Sequence, residues 1–193
     1  LSIRRQRQMC IRDRNMSDQD EAKFRMIEYH KWKFKAKIFS PLAPLTVKRT
    51  PVLMTRVEYG FLGSYNKYKK SPFETFYMGG DGMSGYSSTY ATETIGLRGY
   101  ENGSIAGNGG YNSYGYAYSR LSMELRYPFL LEPSSTIYRL VFVEAGNAWR
   151  DLKDFNPFQL KRSAGVGVRI FLPMIGLMGI DWAYGFDPPD GYD

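Results

Sequence analysis

From Tyr29 onward the chain alternates apolar and polar positions. His30, Trp32, Phe34, Ala36 and Ile38 fall on one side of a two-residue period, and Lys31, Lys33, Lys35 and Lys37 fall on the other. A helix would scatter those lysines around its axis, whereas a strand collects them on one face. The spacing therefore predicts a two-faced strand that Ser40-Pro41 and Pro44 break. Leu53, Thr55, Val57, Tyr59 and Phe61 alternate in the same way with Met54, Arg56, Glu58 and Gly60, which predicts an antiparallel partner. The alternation returns at Tyr116 to Tyr127, where Pro128 is expected to end the strand, and again at Tyr138 to Gly146, Arg162 to Ile170, and Met178 to Phe186. Six strands are predicted, near 28–39, 52–63, 112–127, 136–149, 161–172 and 176–187. Parity puts Trp32, Phe34, Leu121, Leu125, Val166, Ile180 and Trp182 on one outward face.

Between the second and third strands runs a Gly- and Tyr-rich connection from about Gly63 to Asn112. Connections are typically about 4 to 6 residues long, and much longer ones are usually functional or disordered. Glycines at 79, 80, 82 and 85 permit positive φ and close backbone approach. They do not form a phosphate cradle, since no Gly-Lys-Ser/Thr run or strand-to-helix context accompanies them. The connection contains Leu97-Arg98-Gly99-Tyr100. A guanidinium keeps its charge and offers a fixed fork of donors, so Arg98 reads either as a latch onto carboxylates or as a solvated loop arginine.

Each strand is long enough for the roughly 9 to 11 residues that a tilted strand needs to cross a bilayer, and shorter and longer connections alternate. The polar faces carry Lys31 to Lys37, Arg120, Glu124, Arg126, Arg169 and Asp181, as a wetted lumen would. A soluble sandwich would bury an aliphatic core there. The fold class expected is all-β: an antiparallel transmembrane β-barrel, here an open six-stranded portion whose long loop folds into the lumen. Glu144 is the one acid in a strand otherwise apolar on both sides and needs a partner, because an unpaired buried charge is costly. Glycines repeated on one face, among them Gly165 and Gly167, leave room for an inserted loop.

Composition narrows the chemistry. Mean hydropathy is −0.42 and no window approaches the ~20 consecutive apolar residues of a membrane helix. One Cys and one His among 193 residues cannot assemble a zinc cage or a Cys/His nucleophile pair. No metal, cofactor or catalytic residue is expected, and the protein reads as no enzyme. Residues 1–14 hold five Arg and one Asp, hence +4 of the formal +7. They read as a basic arm for nucleic acid or anionic lipid, or as translated adapter sequence foreign to the protein. The latter reading is preferred, so no nucleic-acid partner is expected. Residues 15–27 read as disordered or as a linker and strand lead-in, and no secretory signal peptide is visible.

Five stretches carry a resemblance: Pro72-Phe73-Glu74-Thr75-Phe76-Tyr77-Met78-Gly79-Gly80, Leu97-Arg98-Gly99-Tyr100, Ser122-Met123-Glu124-Leu125-Arg126-Tyr127-Pro128, Phe142-Val143-Glu144-Ala145-Gly146-Asn147-Ala148-Trp149, and Ser163-Ala164-Gly165-Val166-Gly167-Val168-Arg169. In this order they resemble the carboxy-terminal barrel of the BamA-type outer-membrane protein assembly factors, the bacterial surface antigen barrel family, over residues 28–187. The resemblance implies an integral outer-membrane barrel preceded by periplasmic POTRA domains, which folds unfolded client barrels into the lipid without covalent catalysis. It also implies periplasmic or lipoprotein accessory subunits. It further implies that Arg98 contacts acids matching Glu124 and Glu144, with Gly79, Gly80, Gly165 and Gly167 packing the loop. Glu144 stands where the family commonly has Asp. Residues 188–193 look like the start of a truncated extracellular loop. Related readings are a translocation pore of the two-partner secretion type, a barrel fused to a lipase-like domain, and a passive channel, with a soluble binding module outside the family.

Overall fold

The computed structural model describes residues 2–6, 29–44, 49–65, 71, 74–82, 93–105, 114–132, 135–174 and 176–188. One antiparallel sheet holds, in order, β1 (Ser2–Gln6), β2 (Tyr29–Pro41), β3 (Val52–Ser64), β6 (Ala117–Glu132), β7 (Ser135–Trp149), β8 (Lys161–Leu172) and β9 (Gly176–Gly185). The remaining strands, β4 (Phe76–Met78) and β5 (Glu93–Ile95), form a short parallel pair within the long connection. The six predicted strands are all present, and the sheet is open. β1 lies in the segment read as foreign and pairs with β2 along its outer edge, from Ser2 opposite Lys35 to Gln6 opposite Lys31.

Cross-strand partners share a face, so the register tests the parity argument directly. On one side Leu53, Leu125, Val141, Val166 and Trp182 line up across five strands. Val166, Ile180 and Trp182 are exposed there, as are Leu121, Leu125 and Trp32, which forms the apolar band a lipid-facing surface requires. On the other side Lys37, Arg56, Ser122, Glu144 and Ser163 form a polar row. This second face, called inner below, carries the long loop.

Two boundaries, both of β6 (Ala117–Glu132), lie about five residues from the predicted ones. Pro128 does not end its strand; β6 runs on to Glu132 with a register shift between Pro128, opposite Tyr138, and Leu130, opposite Ile137. Proline has no N–H for the ladder, and a bulge is where a strand tolerates that loss. The same strand begins at Ala117, not near 112. Residues 111–113 lie outside the described set, and Gly115 instead bridges to Phe76 of the loop, with Phe76 N donating to Gly115 O and Gly115 N to Phe76 O.

The buried apolar cluster sits between loop and inner face. Phe76, Met78, Ile95, Leu97 and Ile105 of the loop pack against Leu62, Tyr118 and Ala148 of the sheet. Glycine makes this contact possible at two wall positions. A Cβ on Gly60 would collide with the Tyr118 and Phe76 rings, and one on Gly146 would collide with the Met78 methyl. The loop is thus packed into the sheet by a hydrophobic seam, which brings its charged residues against the polar rows.

Candidate functional site

The turn around Arg98 is set by three glycines. Gly79 and Gly80 have φ of +127° and +69°, and Cβ atoms there would strike Glu101 O and the Asn102 side chain. Gly80 N donates to Tyr100 O at 3.0 Å, and Gly80 bridges to the buried Leu97. At Gly99, φ is +92° and a Cβ would lie 2.9 Å from the Tyr184 carbonyl carbon and 3.0 Å from Ser163 Cβ. The loop therefore rests on the backbones of β8 and β9, where only glycine comes so close. Tyr100 holds it there: its hydroxyl donates to Arg162 O at 2.7 Å and accepts from Asp187 N at 3.3 Å.

Arg98 meets three strands. Nη2 donates to Glu124 Oε1 at 2.6 Å and to Glu144 Oε1 at 2.7 Å, and Nη1 donates to Asp181 Oδ2 at 3.2 Å. Its backbone N–H adds a bond of 2.9 Å to Glu144 Oε2, and its guanidinium carbon sits 3.5 Å from the centroid of the Phe142 ring. Relative exposure of Arg98 is 14% and of Glu144 0%, so these are partly dehydrated charges and not a surface pair. Burial by itself would lower the Arg98 pKa. Glu144 first and then Glu124 outweigh burial and raise it, so the cation is permanent.

Every carboxylate also has a partner in the wall. Arg126 reaches Glu124 Oε2 at 2.7 Å and Arg120 reaches Glu144 Oε1 at 2.9 Å; Ser122 Oγ adds 3.0 Å to Glu144, and Arg169 grips Asp181 through both terminal nitrogens. Glu144, the acid of β7 that needs a partner, accepts from Arg98 twice, from Arg120 and from Ser122.

A second ionic contact ties the loop to the lysines of β2. Lys31 Nζ donates to the carbonyl and to Oε2 of Glu74 at 2.9 and 2.8 Å, and Glu74 holds a φ of +66°, uncommon for a residue with a side chain. Glu93 of β5 faces Lys31 at 3.3 Å, Lys33 in closer contact still, and Lys35 at 3.8 Å. Burial alone would raise the Glu93 pKa, but Lys33 and then Lys31 hold it below the ordinary carboxylate value. The loop thus carries a cation to an acidic wall and acids to a basic wall.

Arg98, Glu124 and Glu144 lie together, and Leu97, Gly99 and Tyr100 surround them. Gly165 and Gly167 lie on the inner face, and the groups nearest the space they leave belong to the wall. A Cβ on Gly165 would meet the Phe142 ring and the β9 backbone, and one on Gly167 would meet the Asp181 carboxylate; the wall glycines whose Cβ would meet loop atoms are Gly60, Gly146 and Gly185. Residues missed in the sequence are Asp181 as a third acceptor, Phe142 as the ring beneath the guanidinium, and the Glu74 and Glu93 contacts to lysine. Parity had already placed Asp181 on the polar face, so the register was the missing information. Of the motif stretches, Pro72 and Phe73 lie outside the described residues.

The model of the Omp85 superfamily domain matches residues 23–193. The chain belongs to the Omp85 superfamily. Among solved structures, BamA from Haemophilus ducreyi lacking POTRA domains 1–3 superposes with a TM-score of 0.60 at 21% identity, over 84% of this chain. The match covers 32% of that BamA chain, so the present chain spans about a third of its length. No curated protein sequence matches. This Omp85 chain therefore shares the outer-membrane barrel fold of BamA, and its open sheet matches a portion of that barrel.

Proposed function

We propose that the protein belongs to the machinery that folds and inserts β-barrel proteins into the outer membrane, as an integral barrel that lowers the insertion barrier without a covalent step. Its partners in this reading are outer-membrane lipid, unfolded barrel clients and periplasmic or lipoprotein accessory subunits. The observation that carries it is the seating of Arg98 between Glu124, Glu144 and Asp181, which ties one loop to β6, β7 and β9 at once. In this role Arg98 is a latch that keeps the loop packed inside while the wall takes up strain during client insertion. A passive channel fits less well, since the loop is packed by fully buried Phe76, Met78, Leu97 and Ile105 and does not simply line an opening.

The test is Arg98→Ala and Arg98→Lys in the full-length protein, with loop proteolysis measured beside the rate of client insertion. Breaking a buried pair costs about 3 to 5 kcal/mol, so Arg98→Ala should expose the loop and slow insertion together. Arg98→Lys should restore only part of both, because an ammonium cannot span three carboxylates in the plane of a fork. Wild-type protection and rate in Arg98→Ala would return Arg98 to a passive role.

A further inference from the structure

Among the described residues, the inner-face charges of this sheet are matched with two exceptions. Arg120, Arg126 and Arg169 each hold an acid in the wall, and Lys31, Lys33 and Lys35 each hold Glu93. Arg56, on the same face, makes no hydrogen bond or ion pair among the described residues, and its Nε is buried without a partner. Directly opposite it across the β2–β3 ladder stands Lys37, the last lysine of the stripe and likewise without a partner among the described residues. Like charges facing each other across strands are destabilising, and a buried donor left unpaired adds to that.

Nearby acids are already committed. Glu58 lies 3.9 Å from Arg120, Glu124 is shared by Arg98 and Arg126, and Glu144 by Arg98 and Arg120. The acids of the loop stop at Lys35. Lys37 and Arg56 therefore remain as a two-cation site toward the end of the sheet where the connections are short. Phe39, next along that face of β2, is exposed, with the Arg126 guanidinium 5.8 Å from its ring. Cations beside a bare ring suit a segment that carries both an acid and apolar groups better than a small ion, which would leave Phe39 uncovered.

We propose that Lys37 and Arg56 form a binding site for a carboxylate carried by an extended polypeptide, with Phe39 taking a neighbouring apolar side chain. The site adjoins the Arg98 latch, with Ser122 standing between Arg56 and Glu144 in the cross-strand row, but it uses none of the latch residues and stands whether or not that latch controls insertion.

A labelled short peptide of alternating Glu and Leu, beside its Gln and Leu twin, tests this by fluorescence anisotropy with the folded full-length protein in detergent. The Glu peptide should bind about tenfold more tightly than the twin, the scale of one charge-assisted contact. Lys37→Gln with Arg56→Gln should abolish that preference, and Arg139→Gln on the outer face should leave it intact. Equal binding of the two peptides, or an unchanged preference in the double variant, would overturn the site. Inorganic phosphate binding as tightly as the Glu peptide would overturn the polypeptide assignment. Arg56→Gln should also leave the unfolding temperature equal or higher, since it removes a cation facing Lys37. A fall would make Arg56 a structural residue and sink the proposal.

Discussion

The Arg98 guanidinium lies over the Phe142 ring at 3.5 Å, and that ring fills the space where Gly165 has no side chain. Phe142 sits opposite Gly165 in the β7–β8 register, so the flat support beneath the cation is set by a missing Cβ on the neighbouring strand. The glycine expected to make room for the loop makes room for the platform that the loop's arginine rests on.

Gly165→Ala should disturb Arg98 without touching it. The new Cβ would lie 2.2 Å from Trp182 O, 2.5 Å from Phe142 Cζ and 2.8 Å from Ala183 Cα, so the ring and the β9 backbone must both give way. Overpacking of this kind costs about 1 to 3 kcal/mol. A lower unfolding temperature in detergent, together with faster loop cleavage, is the expected result; normal loop protection would separate Phe142 from the latch.

The three carboxylates should rank differently. Glu144 accepts from Arg98 twice, from Arg120 and from Ser122 while fully buried, whereas Asp181 is part-exposed and meets Arg98 only at 3.2 Å. Glu144→Gln should cost on the order of 3 to 5 kcal/mol, and Asp181→Asn about 1 kcal/mol or less. Denaturant unfolding of both variants in the same detergent checks the order. Equal effects would mean that the latch is not centred on β7.

Acid should loosen the lysine end of the loop. The Glu93 pKa is lowered in the folded protein, so its contribution is complete above the unfolded value, near the ordinary 4.5, and is lost as pH falls through the lower folded value. Loop protection should exceed that of Glu93→Gln by a constant margin from neutral pH down to about 5, and the margin should close on further acidification. A margin that persists in strong acid would show that Glu93 acts through packing and not charge.

Parity assigns Val166 to lipid and Lys33 to the inner face. Val166→Arg puts a charge on the exposed apolar band and should destabilise the folded barrel by about 2 to 4 kcal/mol if the position is near the bilayer centre. Lys33→Leu, on the other face, should not impair insertion into vesicles, although it weakens the Glu93 contact. Efficient vesicle insertion of Val166→Arg would contradict the assignment of faces.

The strands were legible because their signal is local. A lysine at every second residue from Lys31 to Lys37 admits only one backbone period, and the same period sorts Glu124, Glu144 and Asp181 onto one side with no knowledge of their neighbours. Even Pro128, misread as a stop, marks the place where the ladder shifts, because a residue without an N–H must interrupt a ladder somewhere.

What the sequence determined by itself was which face each side chain occupies, since that depends on position along one strand. Which side chains meet was decided by the tertiary structure, through register and the loop's path. Arg98 and Asp181 are 83 residues apart, and Glu93 meets the lysine stripe only because β5 pairs beside β4 above β2. Charge attraction is nearly blind to order along the chain; it depends on distance and dehydration. Those two quantities come into being only when the hydrophobic seam of Phe76, Met78 and Leu97 sets the loop against the sheet.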